Sequence, residues 1–429
     1  MNIHRKTLAV TATVAAATIG LGACGSGSGS GSTGSTGITA TYMQSGTYDK
    51  AAEALTGPFQ TKTGVKVDVK AYPYAALEQN NTNAVISGSC DYNVISGSYY
   101  LADIYSNFRS LDSLAAKSNY ASQLIPGLWA HSEFYNGQHI GLPYGPDAYG
   151  LMYRTDLFTE AGLSLPATWP EFLSDLTVLQ KKFGAQGIAP FAFAAGESEQ
   201  LPALFFASYG GYFINSSGHY ALDPAQAVAA LQLAQKLLTF APKDATGQSI
   251  DAANEQFTSG KAAVLYGWPS FIRQQADAGG SPVAGKWAVM PDPRPGLIWL
   301  SLWQLYMTKC TQNVQAAWKW MTTYSSPATD ETLFTKYGVN PSFEQTYDNP
   351  TLAKQNANYF PAEKANLALA ENPPLSGQAQ DFLASTIGNM ITGKTTPQQV
   401  VTAVNNQWAT LTVPPSLLKE GRQDGLAQR

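Results

Sequence analysis

The chain has 429 residues, room for two or three domains of ordinary size. Hydrophobic residues make up 44% and aromatics 11%, enough for a large packed core, so a wholly disordered chain is excluded. The net charge is −4 and no basic run is longer than Lys181-Lys182, which leaves no clustered positive face for a nucleic acid.

The first 23 residues read as a signal peptide. His4, Arg5 and Lys6 form a basic start, and Thr7 to Gly20 is apolar, Ala-rich and too short to span a bilayer. Leu21-Gly22-Ala23-Cys24 then resembles the bacterial lipobox, which implies that Cys24 is acylated and becomes the first mature residue. Removing Arg5 and Lys6 leaves 26 − 2 = 24 basic against 30 acidic residues, a mature charge of −6. Residues 25–37 are Gly, Ser and Thr with no apolar anchor, a flexible tether. The globular part is expected to start near Ile38, held to the membrane through the lipid alone. Charged residues are only 13%, a bias compatible with an extracellular, even acidic, setting.

The body alternates short apolar strands with amphipathic helices, the pattern of an α/β fold. Val65 to Val69 alternates as a strand, and Tyr92 to Ile95 reads as a buried one. A helix over 169–183 is marked by Thr168 as cap, Glu171 at the capping-box position, and Phe172, Leu176, Leu179 and Phe183 on one face. Asp223-Pro224 opens another, with Val228, Leu231, Ala234 and Leu238 inward. Ala262 to Tyr266 is a buried strand. A helix near 313–324 turns Ala317, Trp320, Met321 and Tyr324 inward, and a late helix from Thr396-Pro397 does so with Val400, Val404 and Trp408. Candidate boundaries are Gly- and Pro-rich: Gly141 to Pro146, Met290 to Gly296, and Ser325 to Pro327.

Six segments in order resemble the extracellular solute-binding protein family 1, which includes the maltodextrin-binding protein. They are GPFQTKTGVKVDV (57–69), GSCDYNVISGS (88–98), HIGLPYGPDAYGLMYRTDLFTEAGLSLPATWPEF (139–172), FTSGKAAVLYGWPSF (257–271), WQLYMTKCTQNVQAAWKWM (303–321) and ITGKTTPQQVV (391–401). The resemblance implies a two-lobe periplasmic-binding-protein fold of type II, closing on a ligand through three hinge crossovers. Lobe 1 would be 38–145 plus 291–323, and lobe 2 would be 146–290 plus 324–429. It also implies an extracellular or periplasmic sugar-binding lipoprotein of an ABC importer. Such a protein sits on the outer face of the cytoplasmic membrane, as a monomer without cofactor or catalysis. Its partners would be a carbohydrate and the permease subunits. Most relatives carry Gly-Gly before the late strand Trp, where this chain has Ser301-Leu302 before Trp303.

In that fold the strand after Cys90 and the strand before Cys310 are antiparallel neighbours. With Cys24 acylated, an exported protein is expected to join Cys90 to Cys310, with two separate thiols as the alternative.

Sugars present flat C–H faces ringed by hydroxyls, which aromatic rings and amide or carboxylate side chains hold. Trp268 leaves a strand end through Gly267, where ligands sit in open α/β sheets. Trp303, Trp299, Tyr144 and Tyr149 lie in other segments that the family places around the cleft, with Asp147 and Glu197 as polar candidates; for Trp299 and Tyr149 a core position weighs equally. Trp268 and Trp303 are expected on opposite jaws.

Several motifs carry less than they suggest. GNMITGKT (388–395) fits the phosphate-loop pattern, but helix precedes it and Thr396-Pro397 begins another, so it reads as an inter-helix turn. GSGSTG (29–34) has no strand before it. His131, His139 and His219 lack metal-ligand spacing. Tyr99-Tyr100 resembles the tyrosine pairs of ferric-binding proteins, without a partnered His, and reads as core or surface. Another polar solute, such as glycerol phosphate or a polyamine, and an extracellular glycosidase are the alternative functions.

Overall fold

The computed structural model describes residues 37–132 and 134–429. Cys24, the signal segment and the tether lie outside the described residues. Twelve strands occur in the described chain: β1 Gly37–Met43, β2 Lys66–Tyr72, β3 Val94–Gly97, β4 Phe134–Tyr135, β5 Gln138–His139, β6 Gly141–Ala148, β7 Gly150–Arg154, β8 Ala189–Ala192, β9 Ala262–Gly267, β10 Trp287–Met290, β11 Ile298–Met307 and β12 Ala370–Glu371. They build two mixed sheets and a small β4–β5 hairpin. One sheet runs β12-β11-β3-β1-β2, with β6 also paired to β11; the other runs β10-β7-β9-β8.

The chain passes between the sheets across Tyr149, from β6 to β7, and across 291–297, from β10 to β11. A turn at Ser325-Ser326 joins helices Val314–Tyr324 and Pro327–Tyr337, which both pack on helix Tyr48–Thr63. The first passage falls later than the Gly/Pro-rich stretch suggests. Pro146, Asp147 and Ala148 remain paired with Leu302, Ser301 and Leu300 of β11, so 146–148 belong to the first sheet. Pro146 is tolerated there because its ladder is interrupted: the register shifts between Leu302 and Gln304. β12, from the C-terminal region, also pairs in the first sheet.

The local elements follow their sequence signals. Thr168 and Glu171 form a reciprocal capping box on helix Trp169–Phe183, and its four expected apolar residues are buried. Helix Pro224–Leu238 buries Ala227, Ala230, Leu231, Ala234 and Leu237, so its inward stripe is offset by one position from Val228 and Leu238. The strand expected at Tyr92 begins at Val94 instead, because Asn93 is used as a connector: its side chain accepts from Thr39 N at 2.8 Å. Residues 388–395 join helices Gly377–Ile391 and Pro397–Trp408, with Gly393 at φ 76°, and form no phosphate loop. Among the described residues no helix is long and apolar enough to cross a membrane.

Cys90 and Cys310 are bonded, with Cα atoms 5.7 Å apart. They sit beside the antiparallel pairing of β3 with the end of β11, where Val94 faces Met307.

Candidate ligand-binding cleft

In the first sheet β1 is parallel to β2 and β3. A tyrosine follows the C-terminal end of each: Tyr48 after β1, Tyr74 after β2 and Tyr100 after β3. All three gather on Trp303, with ring centroids at 5.2, 6.4 and 6.5 Å. Trp303 lies mid-strand in β11, at the residue where the ladder to β6 shifts register. A bulge re-aims the side chain it carries. Here that side chain meets the tyrosines at the strand ends, although Ser301-Leu302 stands where relatives have Gly-Gly. Trp303 is 5% exposed.

The second sheet repeats the arrangement. β8 is parallel to β9, and Gln200 and Trp268 follow their C-terminal ends. Gly267 ends β9, and Pro269 starts helix Pro269–Ala276, which leaves Trp268 as its N-cap. The half-buried ring donates through Nε1 to Gln200 Oε1 at 3.0 Å and stands edge-on to Tyr149 at 4.6 Å. Tyr149 stacks on Trp299 at 6.0 Å, and Trp299 also meets Trp268 at 5.5 Å. A small recess lies here, walled by Tyr149, Gln200, Asn254, Trp268 and Phe271 among others.

The two patches touch. Phe271 meets Tyr48 edge-on at 6.2 Å, and Ser270 Oγ donates to Asp147 Oδ2. Both patches therefore face one cleft at the C-terminal ends of parallel strands, where ligands bind in open α/β sheets.

Among the residues singled out in the sequence, Trp268, Tyr149 and Trp299 come together in one aromatic group, with Trp299 buried behind the other two. Trp303 heads the group on the first sheet and has no ring contact with Trp268. Tyr144 lies in the core beneath Tyr48, packed on Tyr42 and Tyr324, with its hydroxyl hydrogen-bonded to Ser96 Oγ. Burial pushes its phenol well above the usual range. Asp147 is 1% exposed and faces Ser270, and burial pushes its carboxyl up to about 7. Glu197 precedes the turn Ser198–Gln200 without a side-chain capping bond and is half-buried, but does not wall the recess.

Gln200, Asn254, Phe271, Tyr48, Tyr74 and Tyr100 were not singled out as ligand contacts. Applied to every parallel strand, the rule that places Trp268 at a strand end finds Tyr48, Tyr74 and Tyr100 too. Gln200 and Asn254 carry no such signal, because only the folded chain brings their helices to the recess.

The profile of the family described as "Bacterial extracellular solute-binding protein" matches residues 40–331. The chain belongs to that family. A curated relative, a probable ABC transporter-binding protein of Deinococcus radiodurans, is 25% identical over 292 residues, covering 64% of this chain and 69% of the relative. Solved structures agree on the fold of this solute-binding protein. Maltose-bound MalE3 of T. maritima superposes with a TM-score of 0.77 at 22% identity, covering 87% of this chain and 98% of that one. The ribitol complex of a solute-binding protein from Agrobacterium radiobacter K84 gives 0.76 at 18% identity, with the same coverages. The GacH receptor of Streptomyces glaucescens, solved unliganded and with acarbose, gives 0.71 at 20% identity, covering 90% and 98%. The fold is thus the two-lobe, hinge-linked α/β architecture.

Proposed function

We propose that this solute-binding protein captures a neutral sugar or sugar alcohol outside the cell and delivers it to the permease of an ABC importer, without catalysis of its own. The observation that carries this reading is the chemistry of the cleft. None of the residues walling the recess is charged, and rings stand beside two amides, Gln200 and Asn254. Rings take the C–H face of a sugar, and amides take its hydroxyls. A phosphate would need a guanidinium or ammonium in the wall, and a polyamine would need carboxylates. Structures of the same fold from other bacteria hold maltose and ribitol, which supports the same ligand class.

The protein is tethered by a lipid on Cys24 and works as a monomer. Its lobes divide at Tyr149, 291–297 and Ser325-Ser326, so that Trp303 and Trp268 belong to opposing jaws that close on the sugar. A melting-temperature screen tests the ligand class, because a ligand that binds only the folded state raises the melting temperature. Maltose, ribitol, mannitol and acarbose are set against glycerol 3-phosphate and putrescine. At least one neutral carbohydrate should stabilise; stabilisation by the phosphate or the amine alone would overturn the reading.

A further inference from the structure

Three carboxylates grip the five residues over which the chain changes sheet. Asp147 belongs to that stretch. Glu363, on helix Phe360–Leu367, accepts through Oε1 from Ala148 N at 3.4 Å and from Asn340 Nδ2 at 2.8 Å. Asp292, on the second passage between the sheets, accepts through Oδ1 from Leu151 N at 3.3 Å. All three are buried, Glu363 completely. Asp147 Oδ1 and Glu363 Oε2 are buried with no hydrogen-bond partner.

The guanidinium groups on neighbouring elements are engaged elsewhere. Arg273 donates to Asn356 Oδ1 and Phe334 O and lies over the Phe334 ring, while the exposed Arg294 donates to Gly296 O. Among the described residues no three acidic, His or Cys groups converge as metal ligands. Burial without a cationic partner in contact raises a carboxyl's affinity for a proton.

We propose that the Asp147–Glu363–Asp292 cluster is a proton-operated latch on the hinge: bound protons hold the lobes together, and their loss releases them. This goes beyond sugar capture and rests only on the two-lobe fold. The latch spans the cleft, since Ser270 lies in the first turn of the helix that follows Trp268 while Asp147 lies on β6 of the first sheet. Rotation about Tyr149 and Asp292 separates Ser270 from Asp147 and lets water reach the carboxylates. Hydration favours their ionised form, so the open arrangement holds fewer protons than the closed one.

The sign follows. Burial pushes Asp147 and Asp292 up to about 7 in the arrangement where Ser270 covers Asp147, and burial with the Asp147 charge pushes Glu363 well above the usual carboxylate range. Closure is favoured below about pH 7 and lost as pH rises through it. Among the other titratable groups facing the cluster, Asp330 shares this sense at a lower pH, and the phenols do not titrate in the window. Tyr48, Tyr266, Tyr347 and Tyr359 are phenols that burial holds neutral throughout. Burial pushes Asp330 up to about 6, less far than the cluster because Thr346 Oγ1, Ser342 N and Phe343 N stabilise its charge.

Small-angle X-ray scattering of the purified, sugar-free protein between about pH 5 and pH 8 tests the latch, with infrared absorption of protonated carboxyls read on the same samples. The radius of gyration should grow reversibly as pH rises, while the carboxyl band is lost. Asp147→Asn and Glu363→Gln should remove most of that growth. A radius constant across the range, or a full response in both variants, would overturn the proposal. Should a variant fail to fold, the wild type decides: loss of the band together with expansion supports the latch, and compaction with band loss, or absence of the band at low pH, refutes it. No sugar is present, so the result is independent of the ligand assigned to the cleft.

Discussion

The Trp268 ring is half-buried and held by one hydrogen bond, from its Nε1 to Gln200 Oε1. Trp303 is wrapped by Tyr48, Tyr74 and Tyr100. The two should answer truncation differently. Trp268→Ala should leave the melting temperature nearly unchanged and weaken sugar binding by the lost area plus a stacking term of about 0.5–1.5 kcal/mol. Trp303→Ala should cost about 3–5 kcal/mol of stability, as large core rings do, and weaken binding with it. Titration calorimetry and thermal unfolding of both variants check this; unaltered sugar affinity in Trp268→Ala would remove that ring from the site. Gln200→Leu keeps the volume but deletes the acceptor, so it should loosen the Trp268 ring and reduce affinity with little change in folding.

At the scale of elements, the segment between β10 and β11 is closely seated. Gly296 has φ 150°, and a Cβ there would stand 1.8 Å from the carbonyl oxygen of Ala207. Only glycine fits, because the obstacle is backbone that cannot swing aside. Gly296→Ala should therefore be among the most destabilising single substitutions in the chain, seen as a large fall in melting temperature. Thr168→Ala removes a reciprocal cap and should cost about 1 kcal/mol by denaturant titration. The Cys90–Cys310 bond closes a separation of 220 residues, which in the chain-entropy model contributes about 5 kcal/mol. Reduction should lower the melting temperature, and thiol labelling of unfolded, unreduced protein should find neither cysteine free.

Over the whole molecule, buried carboxylates set the response to pH. Asp292 and Asp147 are pushed up to about 7 and Asp330 to about 6, each chiefly by burial. A raised carboxyl binds its proton more tightly folded than unfolded. Stability is then full below the unfolded carboxylate range, near pH 4, and falls as pH rises through about 6 to 7. Thermal unfolding should accordingly show a higher melting temperature near pH 5 than near pH 8; the opposite order would mean that these groups are ionised in the folded protein. At the other end of the chain, mass spectrometry of membrane-extracted protein should find an acylated Cys24 as the mature N-terminus, and soluble protein retaining Met1 would contradict the tether.

What the sequence determined by itself is whatever depends on neighbours along the chain. The Thr168–Glu171 box, the turn at Gly393 and the stop at Pro269 rest on spacings of a few residues, so capping, turn and helix-start chemistry make them readable. The two-lobe fold was legible because its six segments keep their order and residue types. Tertiary structure decided what depends on residues far apart. Tyr144 and Asp147 come from the same motif as Tyr149, yet only Tyr149 walls the recess, because β6 stays paired with β11 through Ala148 and carries the first two inward. Gln200 meets Trp268 across 68 positions, and Glu363 reaches Ala148 across 215. No periodicity encodes such pairings; they exist only once helices have packed on sheets, and the polar groups thereby buried must find their partners or their protons there.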